Sequence, residues 1–355
     1  MYIEWGSRWD DLSEILDDAK EEAKGTPGAP VADGTFLVLP GGKQPCYRWH
    51  LQWPEFHLYL GRSAEPHGNT PNGYVSLNAK TLWSLGVPGA VALVTNWIER
   101  LEGKVLSAKP SRCDLAADFR LPAGLSLPFL LAHRVPQHVT HSHIMTGESL
   151  ETFYHGAKKT PVQLRIYDKA KEVLQGGTKL WFYDLWNVEP EACVWRIEFQ
   201  IRRERLKEFS IHTVEDLVEK SGGLWRYLTE DWFSLRAQDD SNTSRRTVLP
   251  WWQVVQACAE QFGPSMKLTR TLDSASADSA WYVNHIAGCT VGFAAREQLK
   301  SLDEALPVLV ERVRAYFERN DFRRKLTVKS IQLGYPVSSG TAEPDASVPG
   351  MESEA

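Results

Sequence analysis

Tyr167 stands between two cations in Gln163-Leu164-Arg165-Ile166-Tyr167-Asp168-Lys169. Leu164 and Ile166 alternate with Arg165, Tyr167 and Lys169, which is the period of a β-strand with one apolar and one polar face. Neighbours on one strand face lie about 6.6 Å apart. A phenol with its ordinary pKa near ~10 is a weak nucleophile at neutral pH. Adjacent cations favour the phenolate and hold a phosphate against it, and a Tyr that attacks a phosphodiester needs both. A half-exposed structural strand whose Arg and Lys reach water carries the same residues, so this stretch alone leaves both readings open.

Two further stretches bear on the choice. Cys113–Phe119 is a short, mostly apolar run in which Asp114 and Asp118 share a strand face with Ala116 between them. Two carboxylates over a methyl group make an open electronegative pocket suited to a hard cation such as Mg²⁺ or Mn²⁺. In Val194–Arg202, Val194, Trp195, Ile197, Phe199 and Ile201 supply the apolar side, and Arg196, Glu198, Gln200 and Arg202 line the other. If the three strands pair in one sheet, two Asp, one Glu, one Tyr and several Arg and Lys share a surface.

Three motifs follow in order. They are Arg112-Cys113-Asp114-Leu115-Ala116-Ala117-Asp118, then Thr152–Gly156 leading into Leu164–Lys169 with Glu172, then Arg196-x-Glu198-x-x-x-Arg202. In this order and spacing the sequence resembles the replication initiation factor family over roughly residues 35–250. That family comprises rolling-circle initiators of small plasmids and filamentous phages, and related conjugative relaxases. The resemblance implies a metal-dependent DNA strand transferase. Tyr167 falls on the Tyr that takes the 5′-phosphate, and Asp114, Asp118 and Glu198 fall on the acidic residues that hold one Mg²⁺ or Mn²⁺. Arg165, Lys169 and Arg202 are then expected to hold phosphate oxygens, Arg196 to orient Glu198, and Glu172 to orient Lys169 or reach the metal. Cys113 stands where a larger aliphatic residue is common.

The implied reaction is site-specific nicking of single-stranded or extruded hairpin origin DNA, with a free 3′-hydroxyl for a DNA polymerase. Religation then follows by strand transfer. No Walker-type loop is visible, so unwinding falls to a host helicase; a homodimer is compatible with this reading. Nicking of a transfer origin is the alternative biology. A regulator that binds the origin without cutting it is the alternative class.

Composition is that of a globular protein of 355 residues, 43% hydrophobic and 24% charged. Five scattered Cys without a C-x-x-C pattern point to reduced thiols in a cytoplasm, which the resemblance makes that of a bacterial host. The N-terminus has no basic start followed by an apolar stretch, and no run approaches 18 apolar residues, so neither a signal peptide nor a membrane span is expected. The net charge of −5 is unevenly spread. Residues 1–24 hold eight acids against three bases, and residues 341–355 hold four acids and no base. Lys158–Lys207, around the proposed nucleophile, holds eleven Lys/Arg against seven Asp/Glu, which permits phosphate binding. Fourteen Trp suggest a Trp-rich core or aromatic platforms, the core being the simpler account.

The elements that must position these residues form an α+β arrangement. It has two pseudo-symmetric halves with antiparallel sheets backed by helices, plus a helical C-terminal region. Residues 1–30 read as an acidic helix (Trp5–Lys24) and a Gly/Pro linker, docked on the body. Residues 31–222 read as the nicking domain, 223–335 as helical and 336–355 as a disordered tail. Within the first half, Thr35–Leu39, Cys46–Trp53, Phe56–Gly61 and Tyr74–Asn78 read as strands and Pro88–Leu101 as a helix. Helices are expected at Thr213–Ser221 and Leu224–Leu235, separated at Gly222. His138, His141 and His143 invite a metal reading, with a polar loop or a strand edge touching DNA as the simpler one. Trp181-Phe182-Tyr183 and Trp186 read as core, or as a loop that stacks bases. Arg245 and Arg246 in a polar loop, and Arg323, Arg324 and Lys325 after the last helix, are candidate DNA contacts.

Overall fold

A computed structural model describes residues 1–32, 34–67, 70–121, 123–137, 140–190, 192–268 and 279–326. The chain divides into two compact units, Met1–Thr271 and Leu272–Ala355. The tail expected at 336–355 lies outside the described residues.

The first part of the larger unit runs β1 (Tyr2–Trp5), α1 (Trp9–Glu22), β2 (Ala29–Val31), β3 (Phe36–Leu39), β4 (Tyr47–Gln52), β5 (Phe56–Gly61), β6 (Gly73–Leu77), α2 (Ala79–Arg100) and β7 (Gly103–Ser107). Strands β2 to β6 form an antiparallel meander in sequence order. Alternation sends Val38, Trp49, Leu51, Leu58 and Leu60 to one fully covered face, where Leu16 of α1 and Val94 and Ile98 of α2 close the core. The helix expected from Trp5 begins at Trp9. Ile3 and Trp5 alternate inward on β1, which pairs with β7. Helix α1 is docked on the sheet by Asp17, which accepts from Arg48 Nε at 2.7 Å and Nη2 at 2.8 Å and from Trp49 Nε1 at 2.7 Å. Helix α2 starts nine residues before the expected Pro88 and breaks at Gly86, where φ is +66°. By length and composition it is apolar enough to cross a membrane, against the expectation that no segment is. Its Ala90, Val94 and Ile98 are completely buried within the protein.

The second part runs β8 (Arg112–Arg120), α3 (Leu127–His133), β9 (Arg134–Pro136), β10 (His141–Thr146), β11 (Ser149–His155), β12 (Val162–Asp168), α4 (Lys169–Gly176), α5 (Trp181–Trp186), β13 (Val194–Arg202), α6 (Arg203–Glu208), α7 (Val214–Tyr227), β14 (Phe233–Leu235) and α8 (Pro250–Ala257). Its main sheet is also five-stranded and antiparallel, in the order β10-β11-β12-β13-β8. The two sheets share strand number and pairing but differ in connection, because β8 comes first in the chain yet closes the far edge. Phe153, Leu164, Ile166, Ile197, Phe199 and Ile201 face a core completed by Leu224, Trp225 and Trp252 from α7 and α8.

Gly222 and Gly223 do not separate two helices; they lie inside α7. A Cβ at Gly222 would meet Gly263 O at 2.4 Å, and one at Gly223 would meet Met266 O at 2.4 Å. The glycine pair therefore serves close approach of another backbone segment. Beyond α7 a short π-helical turn, Leu228–Trp232, leads into β14, where a continuous helix was expected. All five Cys are free thiols. In the smaller unit α9 (Ser279–Arg296) and α10 (Leu302–Glu318) pack on each other, and Ser301 caps α10 by accepting from Glu304 N.

Candidate active site

Strands β12, β13 and β8 lie side by side, so the three sequence motifs meet on one sheet. Pairing places Gln163, Gln200 and Asp114 in one row, Arg165, Glu198 and Ala116 in the next, and Tyr167, Arg196 and Asp118 in the third. Alternation puts all nine side chains on the face opposite the apolar core.

Contacts across this grid are almost wholly ionic. Tyr167 Oη donates to Glu198 Oε2 at 2.9 Å. Arg165 bridges the other Glu198 oxygen and Asp114, its Nη2 lying 3.5 Å from Asp114 Oδ2. Arg165 Nε is buried and has no hydrogen-bond partner among the described residues. Asp114 is also forked by Arg112. Arg196 forks Asp118 with Nε–Oδ1 at 2.6 Å and Nη2–Oδ2 at 2.7 Å, and Trp186 Nε1 donates to the same carboxylate at 2.9 Å. The Asp118–Arg196 side chains are each 10% exposed, whereas Arg112 is 49% exposed, so the face opens toward Asp114.

Electrostatics correct one expectation. Flanking cations do not lower the Tyr167 pKa. Burial pushes the phenol up, and the Glu198 charge it faces pushes it further, against the smaller opposing pull of Arg196. Arg196 is held protonated well above its usual range: burial opposes this, but the hydrogen bonds and charge of Asp118 prevail. Lys169 is pushed down, first by burial and then by the Arg196 charge. For Glu172, burial works upward but is overcome by Lys169 and Lys179, so its carboxyl lies below the usual range.

Lys169 is not the third member of a strand row. β12 ends at Asp168, whose side chain caps α4 by accepting from Lys171 N at 2.9 Å. Lys169 therefore opens the helix, is buried and pairs with Glu172. Its ammonium lies 5.7 Å from the Tyr167 ring centre and 5.0 Å from that of Phe182, so it stays beside Tyr167. Arg202 lies at the opposite end of β13, six residues or about 20 Å along the strand from Arg196. It donates to Lys158 O at 2.9 Å and is not brought to Tyr167.

The carboxylates do not fit one ion as a set of three. Asp114 and Asp118 are four residues apart on β8, about 13 Å between Cα atoms. Each Asp oxygen reaches about 3.6 Å from its Cα, which leaves a gap of about 6 Å; two oxygens on one Mg²⁺ lie at most about 4.2 Å apart. Among the described residues no three His, Cys, Asp or Glu side chains are grouped to hold a metal. Asp114 and Glu198, which converge on Arg165, are the carboxylates close enough to share a charge between them.

His138 lies outside the described residues. His141 and His143 lie on edge strand β10, opposite His155 and Phe153 and thus on the face away from Tyr167. Phe182 and Tyr183 are buried in a small cluster with Val173 and Val194, as the core reading of that stretch expects. Arg245 pairs with Asp240 at 3.2 Å, and Arg246 donates to Asp240 O at 2.8 Å. Arg323, Arg324 and Lys325 are exposed in the smaller unit, where Lys325 Nζ donates to Tyr316 Oη at 3.0 Å. Residues missed as partners are Arg112, quoted only as the start of a motif, and Trp186. The alternation on β8 placed Arg112 on the Asp114 face; nothing local in the sequence tied Trp186 to Asp118, 68 positions away.

No protein-family profile matches the sequence, and no curated protein matches it. Among solved structures, the chain is similar to a rolling circle replication initiator protein from Geobacillus stearothermophilus. The match covers 76% of this chain and 97% of that one, with 16% identity and a TM-score of 0.42.

Proposed function

We propose that the chain is a DNA nicking and strand-transfer enzyme that initiates rolling-circle replication. The observation that carries this reading is the Tyr167 phenol hydrogen-bonded to Glu198 within a face of Arg165, Arg196 and Arg112. Tyr167 is held protonated, so it needs a base, and Glu198 is in contact with its proton. An entering DNA phosphate competes for Arg165, whose side chain is 29% exposed, and frees Glu198. Glu198 then takes the phenolic proton as Tyr167 Oη bonds to phosphorus. The P–O3′ bond breaks, and the 3′-oxygen takes a proton from water. Arg165 and Arg112 meet the charge that develops on the phosphoryl oxygens. Arg196 is held by Asp118 and Trp186 as a fixed positive charge beside the ring. The 5′-phosphotyrosine conserves the bond energy, so the reverse reaction rejoins DNA without ATP.

Mg²⁺ or Mn²⁺ is implied by the sequence resemblance but enters none of these steps, because the three carboxylates do not share one ion. The substrate is single-stranded or hairpin origin DNA in a bacterial cytoplasm, with a host helicase and polymerase acting on the product.

Incubation with single-stranded DNA tiled across the encoding replicon, with and without Mn²⁺, tests the reading. An SDS-resistant protein–DNA band that disappears in Tyr167→Phe is expected. A band that persists in Tyr167→Phe assigns another nucleophile. Tight binding to one tile without a band points to a non-catalytic origin binder. The sequence at the cut separates a replication origin from a transfer origin.

A further inference from the structure

The first sheet has an aromatic face that the nicking chemistry does not use. Pairing sets Leu39, His50, Tyr59 and Tyr74 in one row across β3 to β6, with His57 in the adjoining row. These side chains point away from the core formed by Leu51, Leu58 and Leu60. An outward face of an antiparallel sheet ordinarily carries polar, solvated residues. Here the rings lie against one another. His50 stacks on Tyr59 with centres 4.1 Å apart at 22°, and Tyr74 lies 5.8 Å from Tyr59 and 5.9 Å from Tyr47. Lys43 Nζ stands 4.3 Å over Tyr74 and 5.3 Å over Tyr59. The rings are half-buried rather than covered.

We propose that this face is a base-stacking platform for single-stranded DNA, continuous with the catalytic face. It rests on the reading of Tyr167 as a DNA nucleophile. Three features select this occupant. Stacked and tilted neutral rings offer π-faces to unpaired bases of any sequence. Lys43 adds one positive charge beside them for the backbone, and the set contains no carboxylate. The platform also adjoins the grid: beside Tyr74, Gly73 N donates to Met1 O at 3.1 Å, and Lys109, three residues before Arg112, stands 4.7 Å over the next ring, Tyr2; Arg112 forks Asp114. A strand laid over Tyr59 and Tyr74 is thereby led to Arg112, Arg165 and Tyr167. Burial and the neighbouring His57 and Lys43 push His50 down to about 4, so it is a neutral ring at physiological pH. The Tyr47 phenol is pushed up to about 12, mainly by burial, and is neutral as well.

The test measures fluorescence anisotropy of the full-length protein with a fluorescein-labelled thymidylate oligomer of about 20 nucleotides, and with a duplex of equal length. Tyr59→Leu and Tyr74→Leu keep apolar bulk but remove the ring, whereas Tyr59→Phe and Tyr74→Phe keep the ring. Each Leu variant is expected to weaken single-strand binding about tenfold, each Phe variant by less than about twofold, and duplex binding is expected to change little. The proposal is overturned if the Leu variants, with unchanged circular dichroism, bind the oligomer as wild type does. It is equally overturned if Phe costs as much as Leu, or if duplex binding falls in parallel. The covalent-adduct assay run beside it separates the two readings. Ring-dependent binding without an adduct keeps the platform and removes the nickase. An adduct with ring-independent binding does the reverse.

Discussion

Glu198→Gln removes the proposed base while keeping its shape. In the wild type Glu198 touches both Tyr167 Oη, at 2.9 Å, and Arg165, and its side chain is only 8% exposed. Gln can still accept from Tyr167 but cannot take its proton. A positioned base contributes roughly 10²–10⁴ in rate, or about 2.7–5.5 kcal/mol of barrier, so adduct formation at neutral pH should fall by that factor. Folding should survive. Arg165 retains Asp114 3.5 Å away and is partly solvated, so the cost is about 1–3 kcal/mol, below ordinary domain stability. The pH profile supplies the sharper discrimination. With the base in place the wild-type rate should be nearly flat through the neutral and alkaline range. In Glu198→Gln the phenol must ionise unaided, so the rate should climb about tenfold per pH unit through the neutral and alkaline range. Removing the Glu198 charge also lowers the Tyr167 pKa, although burial still holds it above its ordinary value. Single-turnover adduct formation on an oligonucleotide containing the cut site reads both effects. A variant rate within about threefold of wild type near neutral pH, or a profile parallel to wild type, would refute base catalysis by Glu198.

Asp118→Asn should destabilise the fold by about 3–5 kcal/mol in urea titration, because it leaves Arg196 charged and nearly buried; the double variant Asp118→Asn/Arg196→Met should recover part of that loss. If the protein binds Mn²⁺ in calorimetry, Asp114→Asn and Glu198→Gln should weaken binding by tenfold or more, as expected for loss of a carboxylate ligand, and Asp118→Asn should leave it unchanged; equal losses in all three would restore a shared site. Gly222→Ala should lower the melting temperature by several degrees, because the new Cβ meets Ala259 O and Gly263 O at 2.8 and 2.4 Å, and both are backbone atoms.

The sheet that carries the candidate site was legible because its strands alternate without interruption. Val194–Arg202 has the same bounds in sequence and structure, and Asp114, Glu198 and Tyr167 reach one face by counting in twos. What failed were inferences about what each charge does. Period-two counting extended β12 through Lys169, because it could not weigh Asp168 as a helix cap. The cations were assigned to Tyr167, but pairing spends Arg165 on Glu198 and Arg196 on Asp118, leaving the phenol against a carboxylate. Sharing a face was also mistaken for proximity: Asp114 and Asp118 point the same way yet lie two pleats apart. Gly222-Gly223 read as a break, since only the three-dimensional approach of residues 259–266 shows why a helix interior lacks side chains there.

The placement of β8 at the sheet edge, beside the last strand of the motif set, has a consequence for assembly. Residues 112–120 emerge from the ribosome first, but their partner strand is 194–202, so this pairing must wait for about 80 further residues. At about 5–20 residues per second that is a delay of roughly 4–16 seconds. During it Asp118 has no Arg196, Tyr167 has no Glu198, and the charged grid does not exist. A nascent or prematurely terminated chain can form the first sheet, a meander of neighbouring strands, long before it can form the grid. The charged grid is thus gained in one late step, when β13 enters between β12 and β8.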